Sequence, residues 1–357
     1  MNFYDTFSPV ITWVTLHLLF ILALILGWST RQIDYVLAFP QAPIQFDMYM
    51  EVPTSIVLDQ SVGSNKTHVL KLLKNLYGQK QTSRQFYLLT CEKLEEIGFI
   101  KSKIDECMFF KDDMIFVLYV DDGILFMKDE SKFESTFALL ASKFDIEDKG
   151  DVEQFLGIKF TRAKDEFHVT QTHLIDQIIK DVGLHKSTFK CPQTPSSSTV
   201  VLQRNENKKS FDGKLFNYRS VIGKLNYLEK SSHPDISYAT NQCARFSHDR
   251  KQSHAQAVIH LVKHLKGARE HGIVMRPKGM ALECHVDADF CGNWHKLTPE
   301  HDLSTTKSRS GSIITYAGCP ISWSSKLQTQ VALSTTEAEY LVTVRKNARQ
   351  IYLSQTL

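Results

Sequence analysis

Three aspartates carry the chemistry that this sequence could perform. Asp121 and Asp122 are adjacent and lie between Met114-Ile115-Phe116-Val117-Leu118-Tyr119-Val120 and Ile124-Leu125-Phe126-Met127. Both runs are apolar and β-prone, so they predict a buried hairpin joined through Asp121-Asp122-Gly123. Two like charges held side by side at the tip of such a hairpin repel, and each loses hydration. A divalent cation would compensate, because hard carboxylate oxygens suit magnesium and the ion reverses the local sign of charge. A plainer reading makes Asp122-Gly123 an ordinary turn, for which Asp-Gly is a strong local signal. Asp34 weighs against it. It lies on an earlier predicted strand, Arg31 to Phe39, that turns at Pro40, and two strands could present three carboxylates to one pair of metal ions.

A second acidic set lies near the other end. Leu282 to Phe290 reads as a strand bearing Asp287 and Asp289, and Ser334-Thr335-Thr336-Glu337-Ala338-Glu339-Tyr340 opens a helix. Ser334 and Glu337 fit a capping box, which gives Glu337 a structural role. Glu339 is then the better ligand candidate, beside an apolar stripe of Leu341, Val344, Ala348 and Ile351. Strand and helix could share another metal site. His260 and His264 share a helix face, but zinc needs more ligands than that pair supplies. A solvated or phosphate-facing surface is the expectation there.

These residues need elements to hold them. The 357 residues are enough for about two domains, and 43% hydrophobic with 23% charged residues excludes wholesale disorder. A net charge of +3 is too mild to identify a nucleic-acid binder by itself. Seven cysteines without paired spacing read as reduced thiols in an intracellular, cytoplasmic setting. Leu18 to Leu26 is short for a bilayer and predicts a buried helix rather than a membrane span. Further helices are expected at Arg84 to Ile97, Phe133 to Phe144, Leu174 to Val182, Tyr218 to Leu228 and Ser253 to Leu265. Phe155 to Ile158 reads as one strand, and Ser312 to Tyr316 and Ile321 to Ser324 as two more. Cys191 to Lys214, rich in Pro, Ser, Thr, Asn and Lys, reads as a linker.

Taken in order, several segments resemble the reverse transcriptase family, in its copia-type branch. Tyr119-Val120-Asp121-Asp122 is similar to the family's signature hairpin, and Gln32-Ile33-Asp34 with Ala38-Phe39 to the strand that supplies the other catalytic aspartate. Leu76-Tyr77-Gly78-Gln79-Lys80-Gln81 with Arg84-Gln85-Phe86-Tyr87 resembles its template and nucleotide-binding segment. Phe155-Leu156-Gly157-Ile158, Tyr218 to Leu225 and Pro234-Asp235-Ile236 are similar as well, so the likeness covers nearly the whole chain. It departs at Val36-Leu37, where the family has Lys-Thr, and at Thr82-Ser83, where Ala-Pro is common. Thr306 to Gly311, the Ile321 to Lys326 strand and the Ser334 helix look like a copia-type ribonuclease H domain.

The resemblance implies an α+β fold: a right-hand polymerase palm with partial fingers over 1–190, a linker and helical connection or thumb over 191–280, and a partial ribonuclease H-like α/β domain over 281–357. It implies RNA-directed DNA polymerase activity on an RNA template, a DNA primer and deoxynucleotide triphosphates, without a membrane. Two magnesium ions would be held by Asp34 and Asp121 with Asp122 in support, and Asp287 and Glu339 would serve as ribonuclease H metal ligands. Tyr119 would belong to the nucleotide site, with Phe39 against the incoming sugar, a position for which a core aromatic is an equal reading. Tyr77, Gly78, Lys80 and Arg84 would contact template or nucleotide, where a solvated surface is the alternative for both cations. An inactive nucleic-acid-binding remnant is the competing expectation. The chain would be a piece of a larger polyprotein, truncated at both ends, with the second domain inactive by itself.

Overall fold

The apolar run forms a helix, α1 (Trp13–Leu26), whose 14 residues rise about 21 Å. Leu16, Leu18, Leu19, Phe20 and Ile21 are all buried, as expected of a helix that is apolar on every side. No helix among the described residues is long and apolar enough to cross a membrane. The structure is a computed structural model and describes residues 6–56, 68–197, 202–204, 210–211, 213–294 and 303–354, without the side chains of 303 and 345–354. The architecture is mixed α/β.

Packing divides the chain into two compact units. Leu26–Val152 and the described residues before Trp13 form one, and Trp13–Ile25 joins the residues from Glu153 onward in the other. Residues 153–190 pack with the later helices.

The first unit contains β1 (Ser29–Tyr35), α2 (Ala38–Gln41), β2 (Tyr49–Glu51), β3 (Val69–Lys71), α3 (Thr82–Glu96), β4 (Ile100–Lys101), β5 (Met108–Lys111), β6 (Met114–Tyr119), β7 (Asp122–Met127), α4 (Phe133–Ala141) and β8 (Ile146–Asp148). Its main sheet is antiparallel in the order β4-β5-β6-β7-β1-β8, and β2 pairs with β3 in a separate hairpin. The first predicted strand ends earlier than expected. Leu37 turns the chain with φ 50°, and Pro40 sits inside the first turn of α2, where a missing N–H leaves no helical bond unmade. The sheet core is built from Ile33, Phe109, Phe116, Val117, Leu118, Ile124, Leu125 and Phe126, all 1% exposed or less.

The second unit contains α1, β9 (Gln154–Phe155), β10 (Ile158–Ala163), β11 (Glu166–Thr170), α5 (Thr172–Asp181), α6 (Tyr218–Ser231), α7 (Ser237–Ala244), α8 (Gln252–Gly267), β12 (Ile273–Met275), β13 (Leu282–Asp289), β14 (Arg309–Tyr316), β15 (Cys319–Leu327) and α9 (Thr335–Ser354). Two sheets run β12-β11-β10-β9 and β13-β14-β15. The expected strand at Phe155 to Ile158 is broken: Leu156 and Gly157 both take positive φ, 53° and 73°, and fold it into a hairpin. Helices α5, α6, α7 and α8 share one core that includes Ile178, Val221, Leu225, Val258 and Leu261. Leu202, Phe211 and Phe216, in and just beyond the expected linker, are buried in that core. That stretch is therefore packed as well as connecting.

His17 ties α1 into this unit. Its Nε2 lies 3.0 Å from the carbonyl oxygen of Ser231 and its Nδ1 3.4 Å from that of Ile321. A neutral imidazole has one N–H, so only one of these carbonyls receives a donor. Burial outweighs the pull of both carbonyls and lowers the pKa to about 4. The ring also stacks on Trp323 at 5.5 Å. Because the folded value lies below that of the unfolded chain, acid favours unfolding. The neutral ring's contribution is present above about pH 6.5 and is lost as the pH falls through about 4. Urea midpoints followed by tryptophan fluorescence should therefore drop between pH 6.5 and 4, and His17→Phe should flatten that drop. An unchanged slope in the variant would place the acid sensitivity elsewhere.

Candidate functional site

The hairpin turns at Val120 and Asp121, since Tyr119 and Asp122 are paired in register. Asp122 thus belongs to β7 rather than to the joint, and the plain Asp-Gly turn is overturned. Val120 has φ 56°. That left-handed backbone is a genuine outlier for a β-branched residue, and it occupies the place where a tight hairpin of this kind favours glycine. Gly123 is needed for another reason. It packs under the buried Phe116 ring, and a Cβ there would lie 2.6 Å from Phe116 Cζ.

Asp34 on β1 is the direct partner of Asp122 on β7 and of Glu147 on β8. The structure therefore brings Asp34 and Asp122 side by side, with Asp121 next in sequence. The Asp122 carboxyl is pushed up to about 6, first by burial, then by the charge of Asp121, then by that of Asp34. Asp34 has a counter-ion that the sequence reading missed: Lys149 Nζ lies 3.2 Å from Asp34 Oδ2 and 2.6 Å from Glu147 Oε2. No motif could have flagged it, because the signal is the pairing of β8 with β1. Among the described residues, no three histidine, cysteine, aspartate or glutamate side chains gather closely enough to hold a metal ion.

Tyr77 faces this group. Its phenol is raised above the usual value by desolvation, then by the charge of Asp121, with Asp34 adding a smaller push. Its ring lies 4.5 Å from that of Phe39, which is 8% exposed and also meets Phe86 edge-on. Phe39 is thus packed in the core beneath a half-exposed Tyr77. Gly78 completes the turn with φ 93°. The turn is anchored by Asn75, whose Nδ2 donates to the carbonyls of Ala42 and Pro43. Lys80 is exposed in the same loop. Arg84 is half-buried and donates to the carbonyl of Phe7 at 3.0 Å, so part of its task is to hold the chain start. Tyr119 is half-buried at the end of β6.

In the second unit, Glu339 Oε1 accepts the backbone N–H of Ala288 at 3.2 Å, which brings it to the residue beside Asp287. Asp289 is occupied otherwise: its Oδ1 accepts the N–H of Arg309 at 2.7 Å and that of Gly292 at 3.4 Å. The cap on α9 is close to the expected box, since Ser334 accepts from Glu337 N–H, but Glu337 reaches back to Leu333 N–H rather than to Ser334. The buried face of the helix is Ala338 and Val342, whereas Val344 is exposed. Ala348 and Ile351 lie outside the described side chains. All seven cysteines are free thiols, in keeping with their spacing. The rings of His260 and His264 meet the carbonyls of Thr194 and Pro192.

The family model for reverse transcriptase (RNA-dependent DNA polymerase) matches residues 1–195. The chain belongs to the reverse transcriptase family. It is similar to the retrovirus-related Pol polyprotein from transposon TNT 1-94 of Nicotiana tabacum, at 29% identity over 100% of this chain and 27% of that protein. It is also similar to the Pol polyprotein from transposon RE1 of Arabidopsis thaliana, at 32% identity over 95% of this chain and 22% of that protein. A putative transposon Ty5-1 protein of Saccharomyces cerevisiae is 26% identical over 86% of this chain and 97% of its own length. These relatives fit the copia-type Pol resemblance that the ordered motifs suggested, and the chain spans about a quarter of the plant polyproteins' length.

Two substitutions test this geometry. Gly123→Ala should lower stability by about 1–3 kcal/mol in thermal unfolding, because the buried Phe116 ring has nowhere to retreat. Asp289→Ala should cost about 1–3 kcal/mol by leaving a buried N–H unpaired, while Asp287→Ala should stay within about 0.5 kcal/mol. The opposite order in denaturant titrations would exchange the roles of the two aspartates.

Proposed function

We propose that this chain is the RNA-directed DNA polymerase portion of a copia-type Pol polyprotein, followed by a partial ribonuclease H-like domain. On this reading the first unit is the palm with part of the fingers, the helices of the second unit form the connection or thumb, and β13, β14, β15 and α9 belong to ribonuclease H. The observation that carries it is the juxtaposition of Asp34 with Asp122 beside Asp121, with Asp122 raised by burial first and then by the charges of Asp121 and Asp34.

The reaction would be attack of a DNA primer 3′-hydroxyl on the α-phosphate of a deoxynucleotide, directed by an RNA template. The donor set suits a hard cation: Asp122 lies within electrostatic reach of both Asp121 and Asp34, and burial followed by those two charges disfavours its ionised form. Asp34 and Asp121 would hold two magnesium ions with Asp122 in support, and when bound these would supply Lewis acidity to the attacking and leaving oxygens. Tyr77 offers the aromatic surface that a sugar or base would meet, and Phe39 supports it from beneath. Lys80, Gly78 and Tyr119 would contact template or nucleotide, and Arg84 keeps its segment in place. Asp287 and Glu339 would act together in the ribonuclease H part. An intracellular, cytoplasmic place of action within a larger polyprotein goes with this reading.

A second reading, a nucleic-acid-binding remnant without turnover, is favoured by the lack of a gathered metal cluster among the described residues. Primer extension on an RNA template with magnesium separates the two. Asp121→Asn should reduce extension by roughly a hundredfold or more, as loss of a metal ligand does. Wild-type extension no greater than that of the variant would leave only the remnant.

A further inference from the structure

We propose that Lys149 is a built-in competitor for the cation at Asp34, an inference that rests on the polymerase reading of the acidic site. Asp34 and Glu147 face each other directly across β1 and β8, an arrangement that like charges oppose. Lys149 follows directly on the last residue of β8, two positions after Glu147. Its backbone N–H bonds to Gln32 O at 2.9 Å, which makes its side chain a diagonal neighbour of Asp34. From there the ammonium reaches both carboxylates, at 3.2 Å from Asp34 and 2.6 Å from Glu147. A divalent ion that binds Asp34 meets this positive charge first. Lys149 can yield without being stranded, because Glu147 still holds it, and the half-exposed pair with Asp34 is weak enough to give way. The lysine thus neutralises Asp34 in the cation-free protein and sets a threshold for cation binding.

The test is Mn2+ binding to the full 357-residue chain, with free ion counted by electron paramagnetic resonance at low salt and at 0.5 M salt. Lys149→Met should bind about three- to tenfold more tightly at low salt, with the gain shrinking as salt screens the removed charge. Lys149→Gln, which keeps a polar head, should match it. If only one of the two variants tightens, packing rather than charge is responsible and the proposal fails. Asp34→Asn should bind more weakly than wild type. Unchanged or weaker affinity in both lysine variants, with Asp34→Asn still weakened, overturns the role of Lys149 and leaves the polymerase site standing. Unaltered affinity in Asp34→Asn removes the cation from Asp34 and overturns the underlying reading as well.

Discussion

The pairing of β1 with β7 is the constraint on which the rest of the candidate site depends. It holds Asp34 against Asp122 although the two charges repel, and it can do so because the strands around them are anchored by apolar burial. Each fully buried Ile, Leu, Val or Phe contributes about 1.5–3 kcal/mol, and Ile33, Val117, Ile124, Leu125 and Phe126 are all of that kind. Several such side chains outweigh the repulsion of one partly solvated carboxylate pair. Register matters as much as strength. A slip of one residue would carry Asp122 to the opposite face and bury it among the phenylalanines, so the same apolar side chains that supply the energy also fix the placement.

The two acidic sets differ in how much the fold strains them. Around Asp34 the sheet compresses charge, bends Val120 into a left-handed backbone and packs Gly123 against an aromatic ring. In the second set Asp287 and Glu339 are exposed, and Glu339 is engaged with a backbone N–H; the tight backbone lies beside Asp289, where Cys291 has φ 52° and Gly292 packs against the Asp289 carboxyl. Strain of this sort persists only where surrounding structure over-determines it, and it concentrates at functional sites.

Much of this was legible in the residues. The apolar arms of the hairpin, the helix over Thr82–Glu96 and the strand-to-helix order near the end follow from periodicity and turn chemistry, and they lie where the pattern places them. The failures have common physical causes. Strand ends set by positive φ at Leu37, Val120 and Leu156 gave no warning, because none of the three is glycine, asparagine or aspartate. Whereas β11 does alternate, with Phe167 and Val169 buried, and was legible, the short strands β4, β5 and β12 are too brief to carry a pattern and exist through their partners. Lys149 escaped notice for the same reason. Its neighbour Asp34 is 115 positions away by number and adjacent only through a pairing that no local pattern encodes. Leu202 and Phe211 within the expected linker, and Phe216 just beyond it, are buried in the helical core, so that stretch packs as well as connects.

The excursion of α1 into the later part of the chain bears on synthesis. His17 finds its two carbonyl partners 214 and 304 residues downstream. At roughly 5–20 residues per second, the second partner leaves the ribosome about 15 to 60 seconds after the helix does. For that interval one of the most apolar segments of the protein has only part of its seat, since Phe160 and Phe167, which meet Phe20, are made earlier. Nascent chains would then expose a sticky helix that invites chaperone capture, and a ribosome stalled before Ile321 would release a product whose amino-terminal helix lacks part of its seat.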